Sequence, residues 1–473
     1  MTADAAPAAE ARRALTVGLV LTVSIAAFEA LAVATILPET VRDIGGLEWY
    51  GWAFTGFLLA NLAGTPLAGE AADRRGPAPP FVAGILLFAV GLVIAGSAHS
   101  MPILVAGRVL QGGGAAALSA VSYVAVARAY PADAQPRMMA MLSSAWVIPG
   151  LFGPVLAAAV ARSAGWRFVF LGLVPPTLVA GVVALSGLRG LDAPPATPAT
   201  RSTRSRDAML LAVGVALSLL GARATSLAGA LRLDPSSLPR PLASLALAAA
   251  GAVLAARSLL RLLPPGTLRA RRGLPAAIAV QALLNFAFFA VEAFLPLALM
   301  ELRGAGTTLV AASLTAGTLA WTTGSWIQAH AAARVPRRRL LRSGLALLLA
   351  GAAAATAVLW HAVSPALAVP AWAVAGLGIG IAYPTATLAI FEGAADGREG
   401  EASATMQVAN ALAIAIGTGL GADLLARVAA TGRSLALGIG AVDAVSLLAC
   451  ALALAAARGV EPSRGPAHRA SSP

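Results

Sequence analysis

Lysine is absent from this chain, and charged residues of any kind make up only 12% of its 473 positions. A soluble protein of that length needs far more charge to coat its surface, so a soluble fold is excluded. There is one cysteine, Cys450, in the last apolar run; no internal disulfide can form, and the thiol reads as a small buried hydrophobe. The four histidines, His99, His330, His361 and His468, are scattered and show no metal-ligand spacing. No G-x-x-x-x-G-K-[ST] phosphate loop occurs, so ATP drives nothing here through a nucleotide site of the chain's own, and neither cofactor nor metal is expected.

What is present is apolar: 58% of residues are hydrophobic, which marks a polytopic membrane protein. Apolar runs recur at residues 14–37, 49–70, 80–98, 102–127, 137–161 and 167–188. They continue at 208–227 and 241–263, then at 274–300, 307–330, 339–360, 367–391, 402–426 and 434–457, fourteen in all. Arg223 in the final turn of 208–227 makes that run the least secure. Arg12 and Arg13 ahead of the first run resemble a signal-peptide start, but the run is too long for a signal core, so an uncleaved first helix is expected.

The net charge of +13 is wholly arginine and falls in alternate short loops. These hold Arg74 and Arg75, Arg128 and Arg137, Arg201 to Arg206, Arg269 to Arg272, and Arg334 to Arg342. About 24 of the arginines fall on one side and about nine on the other, the positive-inside pattern rather than a nucleic-acid surface. Both termini are therefore expected in the cytoplasm, with the chain multi-pass in the cell membrane.

Two joints stand out, the Pro-, Ser- and Arg-rich stretch Arg189–Arg206 and the Pro264-Pro265-Gly266 turn. They suggest a cytoplasmic tail at 1–13, a six-helix bundle at 14–188, and a linker with two extra helices at 189–273. A second six-helix bundle at 274–457 and a tail at 458–473 complete the expected organisation.

Within the first run, Glu29 is the only acidic residue. A carboxylate at such depth costs several kcal/mol against lipid, so it must face protein or a wet cavity. It is either a structural group bonded to a neighbouring helix or a proton or substrate site, and intramembrane ionisable groups favour the second. The halves look like repeats: Ala27-Phe28-Glu29-Ala30-Leu31 matches Ala290-Val291-Glu292-Ala293-Phe294, and Glu39 and Glu301 follow at similar distances. Internal repeats with a site at their interface are a common transporter architecture.

Three further patterns carry the reading. Gly69-x-x-x-Asp73-Arg74-Arg75-Gly76 follows the second run; its glycines permit a tight turn and its charges can clamp helix ends. Arg108-Val109-Leu110-Gln111-Gly112-Gly113-Gly114 puts an arginine, which needs an acceptor, beside a glycine run that lets another helix approach. Pro149-Gly150-Leu151-Phe152-Gly153-Pro154 puts prolines inside the fifth run, and Gly165-Trp166-Arg167-Phe168 marks a turn just after it.

Together these resemble the major facilitator superfamily, and in particular its fourteen-helix drug:proton antiporters. Gly69 to Gly76 resembles motif A, Arg108 to Gly114 motif B, and Gly150, Gly153 and Pro154 the antiporter motif. The last departs from the family, with only two residues between its glycines and Leu156-Ala157 in place of a glycine pair. The likeness covers residues 14–457. It implies an all-α membrane fold of two six-helix bundles with two inserted central helices, working by alternating access. It assigns a conformational gate to Asp73, against the start of the thirteenth helix near Ser403, and tuning of protonation to Arg108.

The expected function is proton-coupled export of amphipathic small molecules or drugs by a monomer, with Glu29 and Glu292 as coupling or substrate groups. Its partners are substrate, protons and the lipid bilayer. The alternative is export of a lipid or endogenous metabolite. An enzyme is disfavoured, because no cluster of His, Cys and carboxylates is visible, and a channel is disfavoured by the two-half organisation. Asn61, Gln111, Gln328, Gln407 and Asn410 read as packing groups. Trp321, Trp326, Phe288 and Phe289 are candidates to line a cavity, and Asp443 is a deep acid without a motif.

The topology is directly testable. A reporter active only outside the cytoplasm should be silent after Pro473 and active after Ser236; activity after Pro473 overturns the orientation or the parity of the helix count.

Overall fold

The computed structural model describes residues 5–131, 134–189, 191, 203–230, 239–393, 399–430 and 434–460. Most of the Arg189–Arg206 linker, the loop bearing Ser236, the side chain of Ser403 and the tail beyond Val460 lie outside them.

The described chain is helical. Its first part comprises α1 (Ala5–Ile44), α2 (Trp52–Arg75), α3 (Ala78–Gly96), α4 (Met101–Ala129), α5 (Gln135–Ser144), α6 (Val147–Ala164), α7 (Arg167–Leu171) and α8 (Val174–Leu188). Then come α9 (Thr203–Ala230), α10 (Pro239–Leu262), α11 (Leu274–Leu297) and α12 (Thr307–Ala331). The last are α13 (Arg337–Thr356), α14 (Ala368–Gly393), α15 (Glu399–Ala430) and α16 (Leu435–Ala456). Every expected apolar run is helical. Among the described residues eleven helical segments are both long and apolar enough to cross a membrane. α2 and α12, which carry many small and polar residues, and the shortened α6 are not among them.

Three expectations are corrected. The first helix is longer than the run at 14–37: it includes residues from Ala5 and continues past Pro38 to Ile44. The fifth run is not one helix, because it breaks at Ala145–Trp146 between α5 and α6. Pro149 has no N–H for the carbonyl four residues back, and the hydroxyl of Ser24 on α1 donates to that Ala145 carbonyl instead (3.0 Å). The sixth run breaks at Gly172–Leu173, just ahead of Pro175 and Pro176. Pro384 inside α14 is handled as Pro149 is: the freed Gly380 carbonyl accepts from Ser325 on α12 (3.2 Å).

The chain divides into two compact units, Met1–Ala222 with Pro241–Ala255, and Arg223–Arg240 with Ala256–Pro473. In the first, α4 packs on α2 and α3, while α1 packs on α6 and α8. In the second, α14 packs on α12 and α13, while α11 packs on α15 and α16. The pairing pattern is therefore the same inside each unit, as the repeat around the two glutamates suggests.

Helices approach closely where glycine removes the side chain. A Cβ on Gly112 would collide with the Phe57 carbonyl of α2, and one on Gly91 would press on the Gly107 carbonyl (2.6 Å). Arginine ties loops to helix ends. In the first unit Arg167 donates to Asp43 at the end of α1 (2.6 Å) and to the Ala98 carbonyl between α3 and α4 (3.3 Å). Trp166 donates to the same Asp43 oxygen (3.0 Å), so the turn after Gly165 is fixed to α1. In the second unit Arg303, just past α11, donates to the carbonyls of Val358 (2.8 Å), Trp360, His361 (3.3 Å) and Val363 (2.6 Å), gathering the turn between α13 and α14.

Candidate functional site

Glu29 lies on the face of α1 turned to α4 and is 1% exposed. Its Oε1 accepts from Nη1 of Arg108, which is 2% exposed. Arg108 Nη1 also donates to Gln111 Oε1 (2.6 Å), and its Nε donates to the Ala53 carbonyl of α2 (3.0 Å). The guanidinium lies over the Phe57 ring, 4.4 Å from its centroid. A buried arginine thus receives a carboxylate, an amide oxygen, a backbone carbonyl and an aromatic face from three helices. Glu29 Oε2 and Gln111 Nε2 have no hydrogen-bond partner among the described residues. Gln111, read from sequence as packing, is a ligand of Arg108.

The antiporter-like segment backs this pair. Pro149 and Gly150 open α6, and Gly153 packs against Phe28 and Leu31 of α1, on either side of Glu29. The Gly69–Gly76 segment lies at the far end of α2. There Asp73 pairs with Arg128 at the end of α4 (2.9 Å), Arg128 also donates to the Ala72 carbonyl (3.4 Å), and Arg74 sits 3.9 Å from Glu70. Gly76 adopts φ 80°, a turn that favours glycine. The second unit carries a counterpart with the charges exchanged: Arg337 at the start of α13 pairs with Glu392 at the end of α14 (2.6 Å).

Glu292, on α11, is half-buried and forms no ion pair among the described residues. It lies beside the indole of Trp372. Trp372 opens an aromatic cluster. Phe288 stacks on Trp372 (4.7 Å, 26°) and meets Trp321 edge-on (5.3 Å, 85°); Phe289 and Tyr383 close on Trp321 at 6.1 and 5.9 Å. Below the cluster, Asn285 donates to Asn410 (3.0 Å), and Asn410 donates to the Tyr383 hydroxyl (3.4 Å).

Of the aromatic residues singled out from sequence, Phe288, Phe289 and Trp321 meet here. Trp326 does not: it is 65% exposed and stacks on His330 toward the end of α12. Trp372 and Tyr383 were missed, because an aromatic in an apolar run carries no signal of its own. Asp443 is buried on α16 near Thr356 of α13, apart from the aromatic cluster.

A helical protein with eleven membrane-length segments and an ion pair held inside them has the architecture of a polytopic membrane transporter. The chain belongs to the major facilitator superfamily, whose family model matches residues 19–418. A probable multidrug-efflux transporter of Mycobacterium tuberculosis (strain H37Rv) is 28% identical over 416 residues, 82% of each chain. Multidrug resistance protein 3 of Bacillus subtilis is 28% identical over 158 residues, a match spanning 33% of this chain and 31% of that relative. Among solved structures, an auto-inhibited POT family peptide transporter superposes with a TM-score of 0.66 at 15% identity, covering 96% of this chain and 98% of the other. A bacterial homologue of the human lysosomal transporter Spinster gives 0.65 at 13% identity, covering 95% and 98%. These two likenesses establish the fold.

The ion pair makes a stability prediction. Glu29→Gln leaves Arg108 buried with its charge uncompensated, a loss of about 3–5 kcal/mol for pairs of this kind. The variant should melt well below wild type in detergent, and Glu29→Gln with Arg108→Gln together should recover part of the loss. Equal melting of wild type and Glu29→Gln would remove the pair from the structural account.

Proposed function

We propose that the chain is a proton-coupled secondary transporter that exports amphipathic small molecules by alternating access. The observation that carries this reading is the presence of two acidic residues, Glu29 and Glu292, at matching places in the first helix of each repeat, both deep in apolar helices. Such groups in a membrane transporter mark ion or substrate pathways. The efflux direction is supported by the Pro149–Pro154 segment and by the M. tuberculosis relative, which matches over 82% of its length and is named a probable multidrug-efflux transporter. In this reading all fourteen helical runs cross the cell membrane with both termini cytoplasmic. Residues 14–188 and 274–457 form the two bundles, 189–273 supply two inserted helices, and the monomer is the working unit.

Asp73, Arg74, Gly69 and Gly76 act as a gate rather than as ligands. The Asp73–Arg128 pair ties the α2–α3 turn to the end of α4, and a contact made in one access state and broken in the other shifts their populations by its differential energy.

The test is accumulation of amphipathic dyes and drugs in a pump-deficient host, with and without an uncoupler. Cells expressing the protein should accumulate less of at least one compound, and the uncoupler should abolish the difference. Efflux that persists with the proton gradient collapsed rejects the coupling; a defect corrected only for a lipid or metabolite of the host reassigns the substrate. For the gate, Asp73→Asn should slow transport and leave substrate affinity unchanged. A loss of affinity at a normal transport rate would move Asp73 into the binding site.

A further inference from the structure

The two units hold their helices in one register, set by glycines. Gly112 of α4 abuts the Phe57 carbonyl of α2, and Gly376 of α14 abuts that of Gly317 on α12. Gly64 meets Gly113 and Ala116, as Gly324 meets Leu377 and Gly380. Beyond the turn, Gly84 of α3 meets the Gly114 carbonyl, and Gly344 of α13 meets that of Gly378. One constant offset carries α2 and α3 onto α12 and α13, and a second carries α4 onto α14. The first sets Asn61 against Trp321, and the second sets Arg108 against Trp372. Because the first offset holds on both sides of the α2–α3 turn, at Gly64 and at Gly84, it also aligns that turn residue by residue with the α12–α13 turn.

The aligned turns differ in charge. Arg334 stands in the place of Arg74, His330 in that of Glu70, and Ala333 in that of Asp73. In the first unit Glu70 lies one helical turn before Arg74 (3.9 Å), and Asp73 pairs with Arg128. The second unit keeps the arginine and lacks both acids, and the Arg334 guanidinium has no partner among the described residues. Its neighbours are engaged: Arg337 pairs with Glu392 (2.6 Å), and Arg338 donates to the Val460 carbonyl (2.6 Å).

Arg334 lines a groove of about 470 Å³ at the end of α12, together with Trp326, Ile327, His330 and Val335. Trp326 and Ile327 are exposed, and the same face continues up α12 through Thr323 to Leu319, which are exposed as well. Thr323 adds no free donor, since its hydroxyl donates to the Leu319 carbonyl (2.9 Å). His330 stacks on Trp326 (6.0 Å, 27°), and its Nδ1 lies 2.8 Å from the Trp326 carbonyl. A carbonyl only accepts, so Nδ1 carries the hydrogen and the imidazole holds the indole in place. The face is therefore an apolar track that ends at a guanidinium without an acid. A soluble phosphate fits the guanidinium alone. A ligand that matches both parts carries a phosphate joined to an acyl chain.

We propose that Trp326, His330 and Arg334 form a binding site for an anionic phospholipid, whose phosphate takes the place that Glu70 holds beside Arg74 and whose upper acyl chain lies on Trp326 and Ile327. The site is separate from the Glu29 and Glu292 carboxylates and stands whether or not transport is coupled to protons. The bilayer supplies the α12–α13 turn with the negative charge that the α2–α3 turn carries in its own sequence.

The test uses purified full-length protein in phosphatidylcholine vesicles and reads tryptophan fluorescence. The probe is phosphatidylglycerol with brominated acyl chains, compared with brominated phosphatidylcholine at equal bromine content. Wild type should be quenched more by the anionic lipid, and Trp326→Phe should lose that excess. Arg334→Gln should lower the preference for the anionic lipid about fivefold, and Arg334→Lys should keep part of it. His330→Glu gives Arg334 the acid of the first unit and should remove the preference as fully as Arg334→Gln. Arg339→Gln changes an exposed arginine outside the groove and should leave the preference unchanged. The four side chains are exposed, so each variant should melt like wild type. Equal quenching of wild type by both lipids overturns the assignment. So does an equal loss in Arg334→Gln and Arg339→Gln, which marks attraction to surface charge alone. Displacement of the lipid by glycerol 1-phosphate overturns it in favour of a soluble anion.

Discussion

The contact between Arg108 and Glu29 constrains the first unit more than any other. An arginine in an apolar bundle keeps its charge, so each of its donors must be answered by protein. Here Nε and Nη1 are answered from α1, α4 and α2, and the last depends on close approach: the Ala53 carbonyl is in reach because α4 lies tight on α2, with Gly112 against the Phe57 backbone. The glycine run after Arg108 and the buried charge are therefore parts of one arrangement. Filling Gly112 would separate the helices and remove the acceptor together.

The second unit keeps the helix packing and changes the chemistry inside it. Its α14 carries Trp372 where α4 carries Arg108, and its α12 carries Trp321 where α2 carries Asn61. At the far helix ends an ion pair recurs with the signs exchanged and a different partner helix: Arg128 of α4 meets Asp73 of α2 in one unit, and Glu392 of α14 meets Arg337 of α13 in the other. Close helix contacts made by small residues tolerate such exchanges, because packing is decided by backbone and glycine positions and the pocket side chains are free to differ.

Much of this was legible in the sequence. The helical runs follow from hydropathy, since a segment in lipid satisfies its backbone only as a helix. The need of Arg108 for an acid was visible from its burial alone, and Glu29 was visible as an acid needing company. What was not legible is where helices break and which side chains converge. Pro149 and Pro384 both lie in apolar runs, yet only the first accompanies a break; Ser24 and Ser325 are the donors that answer the freed carbonyls, and both sit far away in sequence. Trp326 belongs to an aromatic pair at the rim because its face of α12 points away from α14, and one residue type on one helix does not disclose its face. Trp372 was traceable: the shared spacing of Gly84 and Gly91 with Gly344 and Gly351, and of Gly112 and Gly114 with Gly376 and Gly378, aligns the halves and places Arg108 on Trp372.

The two arginine ties differ in the order in which their parts leave the ribosome. In the first unit Asp43 and Ala98 are made before Arg167, so the α3–α4 turn waits with its carbonyl open until the later helix brings the guanidinium. In the second unit Arg303 is made before the Val358–Val363 turn, and that turn is gathered as it emerges by a donor already in place. Because segments made earlier fold earlier, a truncated nascent chain ending before Arg167 would hold its turn loosely. One ending just past Val363 would already contain every partner of its own.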